Sequence, residues 1–171
     1  MTSALATMIA AVVGVLGTLC APLVSQHITS RQRRADNDDG LRKLAFEERR
    51  AAYVTINQSM REFHDRLKYA VHRLIDGDYT TRDRSEVEDS RLAYRSRYAE
   101  AQMIVPASIL DICKDLNKVL THADAAVKRI VAGVPRQGES AENIRTDLLK
   151  ASEKKLSNLT VAMRADLGIV D

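Results

Sequence analysis

The sequence predicts an all-α protein, in which one N-terminal transmembrane helix is followed by an antiparallel three-helix bundle of long, coiled-coil-like helices. Three observations favour this fold: an uncharged apolar run at the N-terminus, apolar residues that recur every three or four positions afterwards, and turn residues at only a few places. No segment alternates apolar and polar residues over a useful length, so β-strands are not expected.

The first element is a transmembrane helix predicted over residues 4–28, after a short N-terminus at 1–3. No charged side chain precedes Arg31, and the apolar run has the length of about 20 residues that a helix needs to cross a bilayer. Its Leu, Ile and Val residues favour insertion by roughly 3–5 kcal/mol. A cleaved signal peptide would begin with basic residues, which residues 1–3 do not provide, so a permanent anchor is expected.

A basic cluster follows the predicted span and sets its orientation. Arg31, Arg33 and Arg34 lie directly after the apolar run, whereas no basic side chain precedes it. The positive-inside rule then places the N-terminus outside and the C-terminal domain in the cytoplasm, with the chain in the cytoplasmic (inner) membrane. The same three arginines are expected to contact anionic lipid headgroups.

A stripe of small residues lies within the predicted span. Ala10, Gly14 and Thr18 recur every four residues and so share one face of a helix. Such stripes allow two transmembrane helices to approach closely. This face is the predicted packing surface between anchors, although Gly and Ala are also common in membrane helices that do not associate.

Turn residues divide the rest of the chain. Residues 29–40 predict a basic and acidic juxtamembrane linker, and residues 41–168 predict the soluble bundle, with helices at about 41–76, 84–132 and 140–167. The apolar residues of the first helix follow the alternating spacing of a coiled-coil seam. They are Phe46, Tyr53, Ile56, Met60, Phe63, Leu67, Ala70 and Leu74.

The middle helix is expected to begin at a capping box formed by Ser85 and Glu88, and to bend at Pro106. The apolar seam shifts phase at the proline but resumes at once, which favours a bend over a hairpin. The inner face carries Val87, Tyr94, Tyr98, Ala101, Val105, Ile109, Ile112, Leu116, Val119, Ala123, Ala126 and Ile130.

Glycines mark the predicted helix ends. Gly77 is expected to close the first helix in the left-handed conformation, Gly133 to close the second before Pro135, and Gly168 to close the third. Ser140 is the expected N-cap of that last helix. Its inner face carries Ile144, Leu148, Leu149, Leu156, Leu159, Met163 and Leu167.

Composition argues against several classes of function. The net charge of +3 comes from 26 basic and 23 acidic residues, Trp is absent and aromatics make up 4%, which together disfavour a nucleic-acid surface. Cys20 and Cys113 both occupy apolar positions, so no disulfide is expected. No phosphate-binding glycine loop or nucleophile elbow occurs, so no catalytic residue, cofactor or small-molecule substrate is predicted.

The histidines do not predict a metal site. His64 and His72 are eight residues apart with Lys68 between them on the same face, whereas metal-binding pairs on helices are three or four residues apart. No metal ligand is therefore assigned.

Two groups of polar residues occupy seam positions. Tyr53, Tyr94 and Tyr98 could form a ligand cage, but at helical spacing they are better interpreted as core-edge residues whose hydroxyls reach water. Arg49 and Arg91 are expected to extend into solvent or to pair with neighbouring acids such as Glu47, Glu48 and Glu88, and a partner surface is the alternative.

Two short segments carry a resemblance to a known group. With ERRAAY at 48–53 and YAEAQMIVP at 98–106, the chain resembles uncharacterised small single-pass membrane-anchored helical proteins of high-GC bacteria. These proteins have an E-R-R-x-A-Y segment after one transmembrane helix and a later break at an aliphatic residue followed by proline. The resemblance covers most of the chain and implies the same anchored helical architecture, without implying an activity.

The expected function is a membrane-tethered helical interaction or scaffold module without catalysis, which contacts the lipid bilayer and binds itself or a cytoplasmic protein. One alternative is a stalk like the b subunit of ATP synthase, which the breaks at Gly77, Pro106 and Gly133 oppose. Another is an exported coiled coil, such as a phage spanin, which requires the opposite topology.

Overall fold

The structure is a computed structural model that describes the backbone of residues 2–169 and the side chains of residues 37–169. The chain is all-helical, and no strand occurs in the described backbone. It divides into two compact units, Met1–Ala45 and Phe46–Asp171. Among the residues with described side chains, no helix has an apolar stretch sufficient to cross a membrane.

Several predicted features lie outside the residues whose side chains are described. They are the span at 4–28, its packing face of Ala10, Gly14 and Thr18, and the basic cluster Arg31, Arg33 and Arg34.

Three long helices come first in the chain: α1 spans Thr2–Asp76, α2 spans Thr81–Ala101 and α3 spans Ala107–Val131. The final stretch consists of α4 at Ala141–Asn143, a π-helical segment at Ile144–Leu149 and α5 at Lys150–Asp166, which follow one another without a break. These three pieces together are called the C-terminal helix.

The linker predicted at 29–40 is wrong as a break in secondary structure, because α1 runs through it. A single glycine such as Gly40 costs a helix only about 1 kcal/mol relative to alanine. The neighbouring Asp39 also supports the helix through an ion pair with Arg42, one turn further on. Polar composition therefore marked a helical segment here, in which residues 37–40 are exposed.

The predicted bend at Pro106 is wrong, because the chain reverses direction there. Lys128 on α3 lies 3.1 Å from Glu88 on α2, which a gently bent helix would hold far apart. α2 ends as the amide of Val105 donates to the carbonyl of Ala101, and Pro106 then caps α3 with an extended backbone. The second unit is therefore a four-helix bundle, not the predicted three-helix bundle.

Helix α1 packs between α2 and the C-terminal helix. Arg66 on α1 lies 2.7 Å from Glu86 on α2, and Phe63 stacks on Tyr94 with ring centroids 6.0 Å apart, so the two helices are antiparallel.

On its other side, α1 is antiparallel to the C-terminal helix. Lys68 lies 2.6 Å from Glu153, and Tyr53, further towards the N-terminus, bonds Asp166. Because α3 packs along the C-terminal helix and folds back on α2, the order around the bundle is α1, α2, α3 and the C-terminal helix.

The helix ends explain which boundaries were predicted correctly. Gly77 and Gly133 have the expected positive φ angles of 77° and 74°. The N-cap of α2 is Thr80, whose side chain accepts from the amide of Asp83 while the Asp83 carboxylate accepts from the amide of Thr80. The capping box predicted at Ser85 and Glu88 is therefore wrong, because an equivalent pair lies five residues earlier.

The core follows the predicted inner faces for most of their length. Phe46 is an exception, since it is 42% exposed, and Leu74 is partly buried. The largest fully buried side chains come from all four helices: they are Tyr94, Phe63, Ile56, Met60, Leu67, Leu116, Leu120, Leu149, Leu159, Val71, Val127 and Cys113.

Candidate functional site

A cluster of four charged side chains joins α2 to α3, and is called the charge cluster. Lys128 lies 2.8 Å from Asp124 and 3.1 Å from Glu88, and Arg91 donates from Nε to Glu88 over 3.0 Å. Asp124 is the most buried member, with a side chain 7% exposed. The two bases offset the two acids, so the cluster fastens one helix to another and leaves no excess charge for a ligand.

The electrostatics of the charge cluster agree with this role. The hydrogen bond from Arg91 holds the pKa of Glu88 at about 2, with Lys128 adding to the effect. Arg91 thus pairs with Glu88, one of the acids proposed for it from the sequence. Arg49 instead pairs with Asp166 on the C-terminal helix, at 3.5 Å, and not with Glu47 or Glu48.

The three seam tyrosines do not form a cage. Tyr94 is fully buried, so the prediction that its hydroxyl reaches water is wrong, and that hydroxyl has no hydrogen-bond partner among the described residues. The Tyr53 hydroxyl donates to Asp166 over 2.6 Å, and Tyr98 packs at the edge of the core beside Tyr94. The contacts of all three tyrosines are therefore those of residues that stabilise the bundle.

Cys113 and His64 are two further titratable groups buried in the bundle. Burial raises the pKa of the Cys113 thiol to about 11, which keeps the thiol protonated and unreactive at neutral pH. His64 is 3% exposed, its Nδ1 lies 3.0 Å from Asp65, and its Nε2 has no partner in the described part of the chain. No group of three or more His, Cys, Asp or Glu side chains in that part could hold a metal ion.

A groove of about 230 Å³ lies on the surface between α1 and α2, and is called the α1–α2 groove. Ala51, Ala52 and Ala101 are small residues that leave space between the two helices. With Thr55 and Ile104 they make the lining largely apolar. Glu48 lies on the α1 side, and Arg97 and Glu100 lie on the α2 side.

The charges of the α1–α2 groove are only partly satisfied. Arg97 donates to Glu100 one turn away, with distances of 2.9 and 3.2 Å, and both side chains are about half exposed. Glu48 has no ion pair among the described residues. An apolar floor beside an unpaired acid suits a partner that offers an apolar side chain and a base.

Sequence reasoning did not identify this groove. Nothing in the sequence gives a reason to group its residues, because Ala51, Ala52 and Ala101 look like ordinary helix formers. The available signal was the pairing of small residues at positions that an antiparallel α1–α2 hairpin brings together.

The fold and these sites define a helical-bundle protein whose described part offers an open groove and has a charge cluster that is paired between two helices. No protein-family model matches the chain, and neither the curated proteins nor the solved structures give a match.

Proposed function

We propose that this protein is a single-pass protein of the cytoplasmic membrane whose four-helix bundle is a cytoplasmic interaction module without catalytic activity. The observation that carries the proposal is the α1–α2 groove, an apolar hollow with a charged rim. Clefts that perform chemistry instead bring polar groups together around a substrate. In the bundle, the charge cluster joins α2 to α3.

The membrane tether rests on the sequence of residues 4–28. These residues are uncharged and long enough to span the hydrocarbon core, and Arg31, Arg33 and Arg34 follow them. The resemblance to small membrane-anchored helical proteins of high-GC bacteria supports the same arrangement. In such a protein the bundle would act at the membrane surface.

Exposed leucines on α1 give independent support for a partner. In the first unit, Leu41 is 61% exposed and Leu44 is 68% exposed, and residues three apart share a helix face. The exposed fraction of both leucines is far above that of the core residues. A partner or a second copy would remove this apolar surface from water.

The experiment is fractionation of cells that express the full chain with a C-terminal reporter. We expect the chain in the membrane pellet after an alkaline wash, with the reporter on the cytoplasmic side. The double substitution Val12→Arg and Leu16→Arg should release it, because a central arginine costs about 2.5–3.5 kcal/mol on the insertion scale.

The matched control is Ser25→Arg, which places a base at the interfacial end of the predicted span. It should leave the chain in the pellet. Recovery of the unsubstituted chain in the high-speed supernatant would refute the tether, and an external reporter would favour the exported coiled coil.

A stalk like the b subunit of ATP synthase is the second candidate, favoured by the 75-residue length of α1. The reversals after Gly77, around Pro106 and after Gly133 weigh against it, because they fold the rest of the chain back onto α1. Small-angle scattering of the full chain in detergent would favour the stalk only if the profile were that of a continuous rod.

A further inference from the structure

The α1–α2 groove has features that allow it to bind an identical groove. We propose that it is the contact surface between two copies of this chain, related by a two-fold axis. This inference rests on the proposed function and names the partner of the same module. In a two-fold contact both copies use the same surface. If a first residue of one copy contacts a second residue of the other, the reverse contact also forms, so the surface must contain both members of each interacting pair.

Charge complementarity is the first argument. Glu48 on the α1 side has no ion pair among the residues that the structure describes, whereas Arg97 stands on the α2 side. When two grooves face each other about a two-fold axis, Arg97 of each copy can lie opposite Glu48 of the other. Arg97 keeps Glu100 beside it, so each interface half contains a base between two acids.

Shape complementarity is the second argument. Met103, in the turn between α2 and α3, is 86% exposed and is the most exposed large apolar side chain in the described part. It adjoins Ile104, which lines the groove. A cavity of about 150 Å³ is large enough for benzene, so the groove of about 230 Å³ has room for a methionine side chain.

Methionine suits such a contact because its flexible thioether adapts to irregular hollows. Met103 of each copy would then insert into the groove of the other copy, against its alanine side chains. A shared membrane would favour this contact further, because it raises the effective concentration of one copy around another.

Charge reversal tests the pairing directly. Full-length protein in detergent micelles would be examined by sedimentation for its monomer–dimer equilibrium. Glu48→Arg alone and Arg97→Glu alone should each weaken dimerisation about tenfold or more, because each substitution turns two attractions into repulsions. The double variant, which exchanges the two charges, should recover most of the original affinity.

Two further variants separate this groove from other routes to a dimer. Ala51→Trp fills the groove from an exposed position and should abolish dimerisation without loss of helical circular dichroism. Glu62→Arg, on α1 but outside the groove, is the matched control and should leave the equilibrium unchanged.

A monomeric unsubstituted chain would overturn the inference, as would a dimer that both single reversals leave intact. Membrane fractionation of the same variants distinguishes this failure from failure of the tether. If all variants remain in the pellet while none affects dimerisation, the groove inference alone fails. Release of the unsubstituted chain would instead refute the proposed function.

Discussion

Tyr53 and Tyr94 both belong to the core, but among the described residues only the Tyr53 hydroxyl has a hydrogen-bond partner. The Tyr53 hydroxyl donates to the carboxylate of Asp166 at the end of the C-terminal helix. The Tyr94 hydroxyl is buried and has no hydrogen-bond partner among the residues with described side chains, although its ring stacks on Phe63. A buried hydroxyl without a partner has lost its bonds to water and gained none in exchange.

Removing each hydroxyl should therefore have opposite consequences. Tyr53→Phe should destabilise the bundle by about 1.5–3 kcal/mol, because the lost bond has a charged acceptor. Tyr94→Phe should be neutral or stabilise it by up to about 1 kcal/mol, because no bond is lost. Thermal unfolding followed by circular dichroism measures both, and an equal loss in the two variants would contradict the assignment.

The charge cluster shows how far residue-level prediction extends. The pairing of Arg91 with Glu88 could be foreseen, because residues three apart on one helix are neighbours. The contacts of Lys128 with Glu88 could not, because they require α3 to lie against α2. Spacing within one helix is visible in the sequence, whereas proximity between helices depends on the direction of each turn.

The π-helical segment is the most irregular element in the C-terminal helix. Ile144 and Leu149 are both buried although they are five residues apart, a spacing that would place them on different sides of an α-helix. The wider π turn accommodates one additional residue and so keeps both side chains on the core face. Downstream, Leu149, Leu156 and Met163 continue the seam at intervals of seven residues.

One-residue deletions should distinguish this extra residue from an ordinary position. Deleting Thr146, an exposed residue of the π segment, should convert the segment to α-helix and leave the rest of the seam aligned. Deleting Ser157 should rotate Leu159 and Met163 by about 100° away from the core and cost several kcal/mol.

Urea unfolding of the full chain in detergent would compare the two deletions. A cooperative transition at similar urea concentration for the Thr146 deletion and the parent chain is expected. If the Thr146 deletion were as damaging as the Ser157 deletion, the segment could not be acting as a one-residue bulge.

The turns show why four helices were predicted as three. Gly77 and Gly133 end their helices with positive φ angles, a conformation that glycine adopts without steric cost. The turn at 102–106 contains no glycine, and its apolar Ile104 and Val105 maintain the helical pattern in the sequence. A proline after aliphatic residues is compatible with a bend or a reversal, and only packing between α2 and α3 decides between them.

Acid should weaken the whole bundle through its ion pairs. Arg91 holds the pKa of Glu88 at about 2, and Arg129 holds the pKa of Glu139 at about 2, compared with an ordinary value of 4.5. A lowered folded-state pKa contributes stability that is complete above the unfolded value and is lost as pH falls through the folded one. The melting temperature should therefore fall between about pH 4.5 and pH 2.

Glu88→Gln should flatten this decline, because the substituted side chain does not titrate. Glu62→Gln, which removes an exposed acid without an ion pair in the described part, is the matched control. Melting curves at half-unit pH intervals would test both variants. An unchanged slope in Glu88→Gln would show that other carboxylates determine the acid sensitivity.

For the molecule as a whole, the all-helical class and most of the core could be predicted. The helical spacing of the apolar residues in the sequence matches the positions that are buried along each helix. The α1–α2 groove was not, because Ala51 on one helix and Ala101 on another become one surface only after the chain has turned at Gly77. A groove that exists because its lining side chains are small has no recognisable motif in the sequence.

The hydrogen bond between Tyr53 and Asp166 places the first and last helices of the bundle side by side. Residues 46 and 169 therefore lie at the same end of the bundle. Tension applied between residues 46 and 169 would therefore peel these helices apart one turn at a time, as in unzipping. Handles at residues 78 and 169 would instead load many contacts at once, in shear. Single-molecule pulling should find the first geometry mechanically weaker than the second, because peeling breaks the contacts between the two helices in sequence.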